Sequence, residues 1–96
     1  MLLIKGYKGT NLVNMEKVEV IKKGTRMNHN HNDSKVYIIS ALFTNDYAGE
    51  MLYETRHEEV ADKVLAMIEK AVIDDKVRVL DLQVARNKWL ENEELI

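Results

Sequence analysis

The chain has 96 residues, a formal net charge of −2 and no cysteine. Its length predicts a single domain over residues 1–96. The order of the predicted elements divides this domain into a β-rich part over 1–54 and a helical part over 55–96. The absence of cysteine excludes disulfides, thiolate metal sites and a cysteine nucleophile. The first apolar run is too short for a signal peptide and no segment approaches the length of a membrane span. We therefore expect a cytoplasmic protein with no membrane partner.

Charge is unevenly distributed between the two halves of the chain. Residues 1–48 hold seven Lys and Arg against four Asp and Glu, whereas residues 49–96 hold seven against twelve. A second copy of the chain would complement this asymmetry, but an acidic, solvated helix face explains it equally well. Both explanations stay open from the sequence alone.

Short segments rich in β-branched and aromatic residues predict the strands of the first half. They are residues 2–5, 12–13, 18–22, 36–44 and 50–54. The segment 36–44 is apolar on both faces, which is typical of a central strand. Because strands and helices do not alternate, we expect an α+β fold with an antiparallel sheet of four to five strands.

One amphipathic helix is predicted over about residues 56–73. Thr55 and Glu58 have the spacing of a capping box, in which each side chain bonds the backbone N–H of the other residue. Apolar residues then recur at three- and four-residue steps and predict a buried stripe. Its members are Val60, Val64, Met67, Ile68, Ala71 and Val72.

The last twenty residues allow two interpretations. Residues 77–79 could open a further strand, whereas a helix over about 81–95, capped by Asp81, suits the later spacing better. This segment carries the single tryptophan, Trp89, and apolar neighbours. Since large aromatic side chains are rarely left in water, we expect the segment to dock, either onto its own chain or onto a second copy. The predicted interaction residues are Trp89, Leu82 and Leu90.

A histidine-containing run between two predicted strands is the one candidate metal site. His29 and His31 lie two residues apart, with Asp33 nearby, and imidazole and carboxylate groups are ordinary metal ligands. Asn and Asp also favour turns through local hydrogen bonds, and nothing in the sequence would orient the histidines. We therefore predict a polar loop, with His29 and His31 as weak metal candidates and no cofactor.

The basic residues of the first half support an alternative function, weak nucleic-acid binding. The candidate residues are Lys22, Lys23 and Arg26, and the aromatic rings of the β-rich part could in principle stack on bases. However, no cluster exceeds two adjacent lysines, and affinity for nucleic acid depends strongly on clustered positive charge. Residues 6–9 match the letters of a GXXG loop, but flanking strands favour a simple turn.

The sequence contains few candidate catalytic residues. Ser34 and Ser40 lack a nucleophile-elbow setting, and no glycine-rich phosphate loop is present. His57, with the two glutamates that follow it, falls in the first turn of the predicted helix, where capping and dipole effects already account for it. Without a nucleophile paired to a base, we predict that the protein is not an enzyme.

Four segments carry a resemblance to small uncharacterised proteins of Gram-positive bacteria and their phages. They are residues 12–18, 36–39, 52–55 and 59–65, and the resemblance extends over about residues 1–73. These proteins are similar in layout to pleckstrin-homology domains, with a curved sheet closed by a helix, although fewer than seven strands are predicted here. The resemblance implies a small module from a mobile element that acts on a host protein, and it transfers no functional residues.

Together, these patterns predict a non-catalytic protein-interaction module that associates with a protein partner, a second copy of itself, or both. Weak nucleic-acid binding through the basic half is the alternative.

Overall fold

A computed structural model of the chain describes residues 2–8, 12–28, 34–43, 46–74 and 76–90. Its strands are β1 (Leu3–Lys5), β2 (Leu12–Asn14), β3 (Val18–Asn28), β4 (Ser34–Phe43), β5 (Asp46–Thr55) and β6 (Val79–Asp81). Its helices are α1 (Glu58–Ile73) and α2 (Leu82–Ala85), with a 3-10 turn at Met15–Lys17 and a π-helical turn at Arg86–Leu90. The predicted α+β class is therefore confirmed.

The strands form two sheets of three, not the single sheet of four to five strands that the sequence predicted. The long sheet has the order β3-β4-β5 and is antiparallel throughout. The short sheet has the order β2-β1-β6, with β1 antiparallel to β2 and parallel to β6. The single-sheet prediction was wrong because hydrophobic periodicity identifies strands but does not reveal which distant strands pair.

The long sheet has β4 at its centre, as its two apolar faces predicted. Its neighbour β3 runs to Asn28, well beyond the predicted end at residue 22. This second half of β3 has little apolar alternation. It is nevertheless a strand, since the backbone ladder to β4 continues to the pair Asn28–Ser34 and an edge strand tolerates polar side chains.

The last strand of the long sheet contains two irregularities. The segment 46–49, which falls between two of the predicted strands, lies within β5, and Gly49 has a positive φ of 67° where the pairing with β4 shifts. A second shift leaves Leu52 between the paired residues Met51 and Tyr53. The Leu52 carbonyl accepts a 3.0 Å hydrogen bond from the N–H of Tyr7. This irregularity in β5 thus joins the long sheet to the chain that leaves β1.

Helix α1 begins two residues later than predicted, and the capping box is not formed. Thr55 is the buried last residue of β5, and its hydroxyl accepts a 3.2 Å bond from the N–H of His57. The N-cap position falls on His57, which makes no side-chain cap bond. Glu58 instead extends towards Lys23 of β3, with 3.5 Å between their charged atoms. The prediction failed because the sheet continues through the residue that was expected to cap the helix.

The predicted apolar stripe of α1 is mostly correct. Val60, Val64, Ile68 and Ala71 are buried, while Met67 is half-buried and Val72 is exposed. The helix packs against β4 and β5. The stripe joins a single core to which both sheets and both helices contribute. Its fully or largely buried members are Leu2, Ile4, Tyr7, Val13, Ile39, Ala41, Leu52, Tyr53, Val60, Ala61, Val64, Ile68, Ala71, Leu82 and Ala85.

The tail differs from the single helix predicted over 81–95. Residues 79–81 pair with β1, so a strand does form here, but of the residues 77–79 for which a strand was considered only Val79 belongs to it. Asp81 does act as the N-cap of α2, accepting bonds of 3.0 and 3.1 Å from the N–H groups of Gln83 and Val84. The helix ends at Ala85 and passes into the π-helical turn, and residues 91–95 lie outside the described part of the chain.

Candidate interaction surface

The short sheet has one face inside the core and one face outside it. Strand register places Ile4 beside Val13 and Leu80 on the inner side, where Ile4 and Val13 are buried. Side chains alternate along a strand, so the flanking residues of all three strands share the opposite side. We call this side the outer face, and it consists of Leu3, Lys5, Leu12, Asn14, Val79 and Asp81.

Apolar side chains occupy half of the outer face and stay accessible to water. Leu12 is 64% exposed and Val79 is 54% exposed, while Leu3, on the central strand, is partly covered. Leu3 is the register partner of Val79, and Leu12 pairs with Lys5, the next outer-face residue of β1. The register therefore places Leu3 directly beside Val79 and diagonally across from Leu12, while Leu12 and Val79 lie at opposite corners of the face. Single exposed apolar residues are ordinary, but Leu3 joins Leu12 and Val79 into one apolar diagonal across the face, which we treat as a patch.

A cation and an anion accompany this patch. Lys5 and Asp81 are register partners, and the Lys5 Nζ lies 3.8 Å from one carboxylate oxygen of Asp81. The other carboxylate oxygen is the one that caps α2. Asp81 therefore ends the short sheet, starts the helix and balances the charge of Lys5. The outer face as a whole is neutral.

The three tail residues predicted to bind a partner have different positions. Leu82 is fully buried in the core, so it anchors the tail to the body of the protein and is not accessible to a partner. The backbone of Trp89 and Leu90 belongs to the π-helical turn, and their side chains lie outside what the structure describes. Docking of the tail onto its own chain is thus observed for α2.

An aromatic contact fixes the end of α2. The guanidinium of Arg86 lies 5.3 Å from the ring centre of Tyr7, and the Lys8 ammonium lies 5.6 Å from the same ring. The Tyr7 ring in turn stands 5.0 Å from the buried ring of Tyr53. Cation–π contacts with a ring in this setting hold Arg86, and with it the start of the π-helical turn, against the core.

The basic residues proposed for nucleic-acid binding do not form one patch. Lys22 and Lys23 are consecutive in β3 and therefore point to opposite faces of the long sheet. Lys23 faces α1 and lies 2.8 Å from Asp62 and 3.5 Å from Glu58. Arg26 makes a 2.8 Å ion pair with Glu54 of β5. Two of the three cations are therefore balanced by carboxylates, which disfavours phosphate binding at this site.

The groups around Lys23 also raise the pKa of its ammonium group. Its hydrogen bond to Asp62 raises the pKa of the lysine above the ordinary value of 10.5, and the negative charges of Asp62 and Glu58 act in the same direction. Desolvation opposes the rise but does not cancel it. Lys23 thus serves as a charged link between β3 and α1.

Neither metal binding nor a membrane span gains support from the described residues. His29 and His31 lie outside them, so the weak metal prediction stays a prediction. Where the structure describes the chain, no group of three or more His, Asp or Glu side chains is arranged to hold a metal ion. The same residues include no helix that is both long enough and apolar enough to cross a bilayer.

Sequence reasoning missed the outer face. The pattern at residues 12–13 suggested a short strand and 77–79 a possible one, but their common partner β1 was not evident. The remaining signal was a mixture of residue types on one face. Lys5 and Asp81 are charged, as expected at a surface, whereas Leu3, Leu12 and Val79 are apolar. That signal has meaning only after the register is known.

No family model, curated protein or solved structure matches this chain. Its function must therefore be inferred from its own residues.

Proposed function

We propose that this protein is a small, non-catalytic protein-interaction module that binds another polypeptide chain through its outer face. The observation that carries the proposal is the exposure of Leu12 and Val79 on a single sheet face whose opposite side is buried. Exposed apolar patches framed by polar residues are typical of binding surfaces.

The energetics support this use of the face. Full burial of a leucine or valine side chain is worth roughly 1.5–3 kcal/mol. More than half of that surface is still exposed at both positions, so a partner that covers them gains about 1–2 kcal/mol from each. Leu3 between them adds to the apolar contact, and Lys5, Asn14 and Asp81 provide the polar rim that interfaces usually have.

The rigidity of the face also suits binding. Its strands are tied to the core through Ile4 and Val13 beneath them, and β6 continues directly into α2, whose Leu82 is fully buried. A surface held in one conformation loses little conformational entropy when a partner binds. The three-residue strands are short, but each one is fixed by neighbours on the inner side.

The tail supplies a second contribution to the proposal. Trp89 follows the anchored helix α2 by four residues, and tryptophan is enriched in interface hot spots. Deleting residues 77–96 would not test the role of Trp89 in binding, because the deletion also removes β6 and the core residue Leu82. Trp89→Ala is the appropriate variant, since it leaves both in place.

The test is capture of protein partners by a tagged bait from nuclease-treated lysate of the source cells. Three baits are compared: the wild type, Leu12→Lys, and the control Ile73→Lys, which places the same charge at a residue that is 73% exposed on α1. We expect a near-stoichiometric protein that the wild type and the control capture and that Leu12→Lys loses.

Two outcomes would overturn the proposal. Capture that is equal for all three baits would remove the outer face from the interaction. Binding that appears only without nuclease and disappears with Lys22→Glu would assign the protein to nucleic acid instead, in line with the alternative prediction from the sequence.

A further inference from the structure

We infer that the chain covering the outer face is a second copy of this protein, packed face to face about a two-fold axis. The inference rests on the proposed function and names its partner. It also fits the size of the chain, because a protein of 96 residues buries a limited share of its surface by itself.

The charges of the outer face favour a partner with the same face. Lys5 and Asp81 provide one cation and one anion, and the remaining members are neutral. A strongly acidic partner would leave Asp81 opposed, and a strongly basic partner would leave Lys5 opposed. A second copy brings one charge of each sign, so its lysine can approach the aspartate of the first copy and its aspartate the lysine.

The geometry of this ion pair leaves room for such an exchange. The distance of 3.8 Å between Lys5 Nζ and the Asp81 carboxylate is too long for a hydrogen bond, although the two groups attract each other. The Lys5 ammonium carries three donors, and the side chains of both residues keep about a third of their exposure. Each group can therefore bond across an interface without breaking a bond inside its own chain.

Edge-to-edge pairing is a poorer route to the same assembly. The edge strands β2 and β6 of the short sheet have three residues each, so adding a strand to either forms few hydrogen bonds. Of the two edge strands of the long sheet, β3 carries Lys22 and Lys23 near its middle, so antiparallel pairing of two β3 strands about that point brings like charges together. The other edge strand, β5, has an irregular backbone at Gly49 and Leu52, and its Leu52 carbonyl already accepts a hydrogen bond from the N–H of Tyr7. Packing of the outer faces avoids these problems.

Light scattering across a dilution series tests the inference first. We expect the wild type to have a mass of twice 11.1 kDa at high concentration, and Leu12→Lys to dissociate at a concentration at least about tenfold higher, because a two-fold axis repeats the substitution. The control Ile73→Lys should match the wild type. Circular dichroism melts of all three proteins establish that the variants are folded.

Cross-linking provides a second readout that does not depend on weakening the assembly. The chain has no cysteine, so a single introduced thiol is the only reactive one. Val79→Cys, on the outer face, should give a covalent dimer with a short bis-maleimide, whereas Ile73→Cys on α1 should not. Efficient cross-linking of both variants, or of the second alone, would place the interface elsewhere.

A folded wild type that is monomeric at millimolar concentration and does not cross-link through Val79→Cys would overturn the inference. If Leu12→Lys then still abolished capture of a different protein, the proposed function would stand with another partner. If Leu12→Lys changed neither mass nor capture, both would fail.

Discussion

The two sheets of this protein differ in how far apart along the sequence their paired strands lie. In the long sheet, each strand pairs with the one that precedes or follows it, β3 with β4 and β4 with β5. In the short sheet, β1 also pairs with β6, which lies on the far side of α1 in the sequence. Closing such a long loop costs more conformational entropy than forming a hairpin.

The difference shows that the tail is a structural part of the domain. The N–H of Leu3 donates a 2.9 Å hydrogen bond to the carbonyl of Arg78, directly before β6. Beyond β6, Leu82 and Ala85 enter the core that the long sheet shares. The short sheet, with the outer face on it, therefore depends on core contacts that the tail provides.

Leu82→Ala should have the largest effect and should separate the two sheets. Removing a fully buried leucine side chain typically costs about 2–5 kcal/mol of unfolding free energy, measured by denaturant titration. Hydrogen exchange should then accelerate more at Leu3 than at the amides of β4, because β6 loses its anchor.

The control for this variant is Val84→Ala on the same helix. Val84 is 40% exposed, so the substitution should change stability by no more than about 0.5 kcal/mol. Equal acceleration of exchange in β1 and β4 on Leu82→Ala would contradict the comparison, since the two sheets would then open as one unit.

Gly49→Ala should destabilise the long sheet through backbone strain and a steric clash. Gly49 has a φ of 67°, and a Cβ there would lie 2.8 Å from the Ala41 carbonyl oxygen and 2.7 Å from a Leu42 methyl group. We expect a loss of about 1–3 kcal/mol, measured by denaturant titration. Gly24→Ala is the matched control, because its Cβ would meet no atom within 4 Å, and it should be neutral or stabilising.

The sequence predicted the long sheet far better than the short one. The two apolar faces of residues 36–44 indicated a central strand, and the three- and four-residue spacing of Val60, Val64 and Ile68 indicated the packed face of α1. Both signals are local, so a pattern within one segment is sufficient. The parallel pairing of β1 with β6 leaves no local pattern, because it depends on the geometry of everything between the two strands.

The candidate surface could be predicted only in part for the same reason. Leu82 was predicted to bind a partner, because helical spacing alone does not tell which face of a helix packs against the core. In the structure Leu82 is fully buried. Lys22 and Lys23 looked like one basic site because they are adjacent in sequence, yet a strand separates them onto two faces. The outer face itself appears only when the distant strand β6 is brought beside β1 and β2.

Asp81→Ala should have an intermediate effect that is confined to the short sheet. The substitution removes the cap of α2 and the partner of Lys5, and loss of an N-cap costs about 1 kcal/mol. Asp81→Asn keeps a capping oxygen and loses only the charge, so it should retain most of the stability in a thermal melt. If both variants lost the same amount, the charge and not the cap would be the important contribution.

Lys23 provides the smallest predicted effect, and one that depends on pH. Because its pKa in the folded protein is raised above 10.5, its ion pair with Asp62 contributes full stability below pH 10.5 and loses that contribution as the pH rises through the folded pKa. In thermal melts from pH 9 upwards, the wild type should therefore lose its advantage over Lys23→Gln. Lys35→Gln, at an exposed position of β4, is the matched control and should follow the wild type throughout. A gap between the wild type and Lys23→Gln that stayed constant up to the alkaline limit would mean that Lys23 stabilises the contact of β3 with α1 by packing rather than by charge.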